Sequence, residues 1–192
     1  LTDLDAARQF GQDAIEALGG VDGLVNNAGA NTWHSVEHCT WDQMDNCLRV
    51  NFYHCWVMAQ VCIPVMRAGG GGVIVNMSSI NAEGTLPGVF PYNMAKTMLV
   101  SLTRSISIEH GRDNIRSVAI QPGTTLTALA EAYFDSFPNP AEVRAKFASH
   151  YPLNRFAKPQ EIAATVAHVL SGENGFMSGN AIMIDAGITN MF

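Results

Sequence analysis

Four short runs of apolar, mostly β-branched residues recur along this chain, and each closes on small or polar residues before a helical pattern resumes. Residues 21–25 lead into Asn26-Asn27-Ala28-Gly29, and Val73-Ile74-Val75-Asn76-Met77 ends in Ser78-Ser79. Residues 114–120 end in Gln121-Pro122-Gly123, and residues 181–184 in Asp185-Ala186-Gly187. Helical spacing fills the intervals at residues 4–18 (stopping at Gly19-Gly20), 41–66, 92–110 and 159–170. Short, continuously apolar strands separated by helices point to one arrangement, a parallel sheet covered by helices on both faces, the α/β class. No repeat, low-complexity tract or linker interrupts the pattern, so residues 1–192 read as a single domain. In sheets of this kind ligands bind beyond the carboxyl ends of the strands, where this chain concentrates its small and polar residues.

Two stretches carry more specific expectations. Residues 41–66 place Met44, Leu48, Phe52, Trp56, Val61 and Met66 on nearly all sides, which predicts one long helix buried in a core or between subunits. Residues 124–152 read as irregular or short-helical and aromatic, fit to form a lid over a site.

Composition removes several classes of function. The net charge is −6 and the eleven Lys and Arg are scattered with no basic stripe, so nucleic acid is not an expected partner. No apolar run approaches the roughly 20 residues that span a bilayer, and residues 1–5 lack the basic-then-apolar order of a signal peptide. Cys47, Cys55 and Cys62 lie 8 and 7 residues apart on the expected helix. At about 1.5 Å rise per residue, neighbours are too far apart for a disulfide, so with Cys39 they read as reduced packing residues of a cytoplasmic protein. His34 and His38 have i, i+4 spacing but no further clustered ligand, so no metal site is expected. A Gly-x-Ser-x-Gly elbow is absent, which argues against an α/β-hydrolase. The Asn76-Met77-Ser78 sequon falls inside a core strand and is read as strand.

The chemistry sits around the second run. Thirteen residues after Ser79 a helix opens with Tyr92 and carries Lys96 one turn later. Positions i and i+4 share a helix face, and the intervening loop is long enough to bring the Ser79 hydroxyl over it. A phenol with a pKa near 10 is a poor base at neutral pH, but an ammonium one turn away favours the phenolate. Each residue taken alone has a structural reading, as a strand end or a helix start; the three together suggest proton transfer.

With these residues in register, the chain resembles the short-chain dehydrogenase/reductase family. The family's Asn-Asn-Ala-Gly motif is matched by Asn26 to Gly29, its helix asparagine by Asn51, its serine by Ser79 and its Tyr-x-x-x-Lys by Tyr92 and Lys96. Its Pro-Gly motif with a following threonine is matched by Pro122, Gly123 and Thr127, with Thr124 and Thr125 in the same loop. The resemblance implies a Rossmann-like doubly wound fold, NAD or NADP as cofactor, a secondary alcohol or ketone as substrate, and a homo-oligomer, dimer or tetramer. It implies that Tyr92 is the general acid/base, that Ser79 hydrogen-bonds the reacting oxygen, and that Lys96 binds the ribose. Asn51 would hold a water in a proton relay from Lys96. Asn26, Ala28, Gly29, Pro122, Gly123, Thr125 and Thr127, with Tyr92 and Lys96, would contact the cofactor.

One departure stands out. Family members begin with a strand and a glycine-rich turn, Thr-Gly-x-x-x-Gly-x-Gly, and this sequence shows none. Leu1-Thr2-Asp3 resembles residues after the family's third strand, so the expectation is an N-terminally truncated fold without the first βαβαβ half. That half also carries the residue that selects NAD or NADP. A chain cut there is expected to bind dinucleotide weakly and to be marginally stable, because a sheet face and edge are uncovered. Two other readings compete with an oxidoreductase. One is a truncated non-redox relative serving as an interaction or structural subunit. The other is a dehalogenase-like lyase, which keeps the serine and tyrosine but has arginine where this chain has Lys96. The intact set of Asn51, Ser79, Tyr92 and Lys96 favours the oxidoreductase. Of the basic residues near the aromatic stretch, only Arg144, Lys146 and Arg155 could meet an anionic substrate, and the acidic balance disfavours an acyl-carrier protein.

Overall fold

A computed structural model describes residues 2–191. Four strands, β1 (Gly23–Asn26), β2 (Gly72–Met77), β3 (Ile115–Pro122) and β4 (Ala181–Ile184), form one sheet in the order β1-β2-β3-β4. All three pairings are parallel, with Val25 opposite Val75, Val75 opposite Val118, and Ile120 opposite Ile182. Side chains alternate across a strand, so β2 serves two cores at once. Val73, Val75 and Met77 pack with Val118, Ile120, Ile162 and Val169 on one face. Ile74 packs with Ala59, Cys62, Met66, Ile106 and Ile115 on the other. That is why the run reads as continuously apolar: β2 is buried on both sides.

Helices α1 (Leu4–Leu18), α3 (His54–Ala68) and α4 (Tyr92–His110) cover one face, and α7 (Pro159–Ser171) covers the other. Local sequence sets their ends. The Asp3 carboxylate accepts from Asp5 N and Ala6 N at the start of α1, and Gly19 closes it in the left-handed region at φ 72°. Pro159 begins α7 and Gly172 ends it at φ 78°. The aromatic stretch folds into two short helices, α5 (Ala128–Asp135) and α6 (Pro140–Ala148), over a small cluster of Phe134, Tyr151 and Phe156.

The single helix expected over 41–66 is three segments. Helix α2 (Trp41–Leu48) starts with a capping box between Thr40 and Gln43, a π-helical turn occupies Arg49–Tyr53, and α3 follows. Within that turn the Asn51 amide bonds both to the preceding helix and to the loop after β1. Its Oδ1 accepts from Ala30 N at 3.1 Å, and its Nδ2 donates to Ala30 O at 3.0 Å and Cys47 O at 3.1 Å. A wide turn inside an α-helix commonly marks a functional position. Nor is the segment buried all round: Trp41 is 87% exposed and Trp56 46%.

All four cysteines are free, and Cys47, Cys55 and Cys62 are buried. No helix among the described residues is long and apolar enough to cross a membrane.

Candidate active site

The carboxyl ends of β1, β2 and β3 open into a cleft of about 660 Å³, lined among others by Asn27, Gly29, Asn31, Tyr92, Lys96 and Pro122. Tyr92 reaches it because α4 begins there, and Lys96 lies one turn further on the same face. Lys96 is 5% exposed. Its Nζ donates to Met77 O at 2.8 Å, using a carbonyl at the end of β2, and lies 5.4 Å from the Tyr92 ring centroid. The backbone of the same lysine is also held, since Ser78 Oγ donates to Lys96 O at 2.8 Å. Of the two serines, Ser78 therefore ties β2 to α4. Ser79 carries its hydroxyl into an adjoining cavity and accepts there from Asn81 N at 3.1 Å and Asn81 Nδ2 at 3.3 Å.

Gly29 explains how Asn51 and Lys96 come together. A β-carbon at this position would meet Asn51 Oδ1 at 2.9 Å and Lys96 Nζ at 3.3 Å. A glycine lets the loop after β1 close over the lysine, while Asn51 grips the next residue, Ala30, without either side chain having to shift. The Asn51 amide is satisfied by the backbone of Ala30 and Cys47.

Electrostatics differ from the expectation as well. Burial pushes the Tyr92 phenol up, and the hydrogen-bonding influence of Ser79 opposes this without cancelling it. Burial also lowers the Lys96 ammonium to about 8. Both shifts follow from desolvation, which disfavours the charged form of each buried group. Next to them, the Cys55 thiol is pushed up to about 12 by burial.

The expected cofactor contacts separate into groups. Gly29, Tyr92, Lys96, Pro122, Thr125 and Thr127 line the cleft. Asn26 does not. It is 4% exposed, and its Nδ2 donates to Asn76 Oδ1 at 2.8 Å, while Asn76 Nδ2 donates to Thr103 Oγ1 at 2.9 Å. This chain of amides stitches β1 to β2 and β2 to α4. Ala28 lies in a separate hollow with Phe10, His54 and Met58, and Gly123 lines the cavity next to the cleft. Thr125 Oγ1 donates to Gly123 O at 3.1 Å, and Thr127 caps α5 by accepting from Ala130 N.

That adjoining cavity, of about 310 Å³, is roofed by α5 and walled by aromatic rings. The sequence reading did not single out Asn81, or the Gln121–Glu83 hydrogen bond of 2.8 Å that holds the loop after Ser79 against β3.

A parallel α/β sheet whose carboxyl edge gathers a serine, a tyrosine and a buried lysine has the layout of a dinucleotide-fold enzyme. The profile of the family described as "Enoyl-(Acyl carrier protein) reductase" matches residues 1–189. An "Uncharacterized oxidoreductase" of Thermotoga maritima is 34% identical over 95% of this chain and 73% of its own length. Among solved structures, Cj0485 dehydrogenase superposes with a TM-score of 0.94 at 28% identity, covering 100% of this chain and 74% of that one. A 7α-hydroxysteroid dehydrogenase complexed with NADH and 7-oxo glycochenodeoxycholic acid superposes with a TM-score of 0.87 at 28% identity, over 97% of this chain and 71% of that one. The chain belongs to the short-chain dehydrogenase/reductase family, whose matched members are oxidoreductases.

Proposed function

We propose that this protein interconverts a secondary alcohol and a ketone with NAD or NADP as the hydride carrier, and that Tyr92 is its general acid/base. The observation that carries the reading is the convergence of Tyr92, Lys96 and Ser79 where the cleft meets the aromatic-walled cavity. The cleft suits a nicotinamide. Ile162 and Val166 offer apolar wall, Asn27, Asn31, Thr125 and Thr127 offer hydrogen-bonding groups, and the glycine at 29 leaves the loop close to Lys96. These residues would hold the dinucleotide's nicotinamide end, with Lys96 toward the ribose. When bound there, a nicotinamide cofactor would supply the hydride acceptor for the carbinol carbon and, in its reduced form, the hydride donor. The NADH in the 7α-hydroxysteroid dehydrogenase neighbour supports a nicotinamide cofactor.

In oxidation Tyr92, deprotonated once the positive charges of Lys96 and an oxidised nicotinamide would offset its burial, takes the hydroxyl proton as the carbon–hydrogen bond breaks, giving a ketone; in reduction the phenol donates it back. Ser79 hydrogen-bonds the reacting oxygen, and Asn81, which already donates to the Ser79 oxygen, orients it. Lys96, anchored by Met77 O, is the proton store behind the phenol. Asn51 acts by fixing the loop after β1 against it. Self-association into a homo-oligomer belongs to the same reading, through the exposed apolar flank of α3.

The test is Tyr92→Phe, assayed for oxidation of secondary alcohols with NAD and with NADP. Turnover is expected to fall by about 10²- to 10⁴-fold, the usual contribution of a positioned acid/base, with dinucleotide binding retained. Unchanged turnover would remove Tyr92 from the mechanism.

A further inference from the structure

Two segments remote in sequence meet over the site. Trp33, from the loop after β1, stacks on Tyr133 of α5 with ring centroids 6.1 Å apart and planes 15° from parallel. Tyr133 in turn sets its edge against Phe134 at 5.5 Å and Phe137 at 5.2 Å, and Phe134 meets Phe147 at 5.7 Å. The result is a continuous aromatic wall on the cavity that Ser79 and Tyr92 enter. It is incompletely covered: Trp33 is 55% exposed and Tyr133 41%. Large rings left open on a cavity wall are apolar area that a ligand can remove from water.

Charge on the same cavity is as informative. Among the described residues, every side chain that lines it is uncharged, and its polar groups are amides and hydroxyls such as Asn31, Asn81 and Thr124. Two nearby cations do not line it, although Arg144 keeps a buried Nε without a hydrogen-bond partner. Arg144 pairs with Asp135 at 2.8 Å and lays its guanidinium 5.8 Å from the Phe134 ring centroid. Arg155 forms a two-bonded fork with Glu161 at 2.8 and 2.7 Å. A carboxylate or sulfonate entering this cavity would give up its hydration with no cation to receive it. A flat, neutral ring would instead extend the aromatic wall in offset or edge contacts.

Resting on the oxidoreductase reading of the site, we infer that the substrate is an uncharged alcohol or ketone whose reacting carbon bears an aryl or similarly flat ring, and that the Trp33–Tyr133 pair is its specificity determinant. The reacting oxygen points to Ser79 and Tyr92 while the ring lies along the wall.

The test measures binding of three ketones of matched shape to the full chain, with and without NAD or NADP, by ligand-observed NMR. They are acetophenone, its para-carboxylate and its para-trimethylammonium derivative. Acetophenone is expected to bind at least tenfold tighter than either charged analogue. Trp33→Ala and Tyr133→Ala should each weaken acetophenone several-fold, while Tyr133→Phe, which keeps the ring, should not. Circular dichroism of each variant separates a lost wall from a lost fold. Equal or tighter binding of a charged analogue, unaltered affinity in a folded Trp33→Ala variant, or no binding of any of the three overturns the inference. Failure of the underlying reading is distinguishable: there Tyr92→Phe would leave turnover intact whatever the ring preference.

Discussion

Lys96 gives the site a titration that stability measurements can see. In the unfolded chain its ammonium holds a proton to near 10.5, and in the folded protein burial lowers that to about 8. Between these values the unfolded state binds more protons, so stability rises with pH by up to about 1.4 kcal/mol per unit. The buried Cys55 thiol works the other way, since its value is pushed from 9.0 to about 12 and the folded state keeps a proton that the unfolded state loses. The window between about pH 8 and 9 therefore belongs mainly to the lysine. Urea unfolding across that window should show wild-type stability rising with a steeper slope than Lys96→Met; parallel slopes would place the lysine proton elsewhere. Gly29→Ala tests the neighbouring contact. With a β-carbon 2.9 Å from Asn51 Oδ1, it should destabilise the protein by about 1–3 kcal/mol. It should also impair turnover, because the loop or the lysine must move. A variant as stable and active as wild type would show that the loop yields freely. Residues joined by a helical turn, such as Tyr92 and Lys96, were legible in the sequence because the spacing itself implies contact. Met77 O, Asn81 and the Trp33–Tyr133 pair were not, because each joins positions whose distance depends on the finished fold.

At the scale of elements, α1 and α4 were readable over their full length, with Gly19 and the Tyr92 start doing the marking. The strands were readable from their β-branched runs, within one or two residues at their ends. The break between α2 and α3 was not; the π turn holds Asn51, whose amide bonds to Ala30, 21 residues earlier in the chain. Asn26 illustrates the same limit. Its motif suggests a ligand contact, yet in the fold it joins Asn76 and Thr103 in a buried polar chain between β1, β2 and α4. Replacing Asn76 with Leu leaves Asn26 Nδ2 only its bond to Cys55 O and should cost about 1–3 kcal/mol. Replacing both asparagines with Leu should cost less than the two single changes summed, the signature of a direct pair in a double-mutant cycle. Additive losses in urea denaturation would mean that the two amides are stabilised independently.

The whole molecule leaves an apolar flank open on the outer side of the α3–α4 core. A groove of about 1030 Å³ runs between α3 and α4, lined by Phe52, Trp56, Ile63, Met98 and Leu102, with Arg67, Glu109 and His110 also along it. Trp56, on its wall, is 46% exposed. Exposed aromatic and apolar side chains mixed with polar ones suit a protein interface. The simplest closed use of one such patch is a two-fold pairing in which it meets its own copy. A stable pairing of this kind buries roughly 1,200–2,000 Å² in total, with buried aromatics carrying most of the binding energy. Electrostatics set the direction of the salt effect. Each copy carries a net charge of −6, so self-repulsion opposes association and added salt, by screening it, should strengthen the complex. Sedimentation equilibrium is expected to find a dimer or larger at micromolar concentration, tightening as salt rises. Trp56→Glu, which places a carboxylate on the wall of the groove in both partners, should yield a monomer with an unchanged circular dichroism spectrum. A wild-type protein that stays monomeric at both low and high salt would show that the groove does not pair, and would leave α3 and α4 packing only against their own sheet.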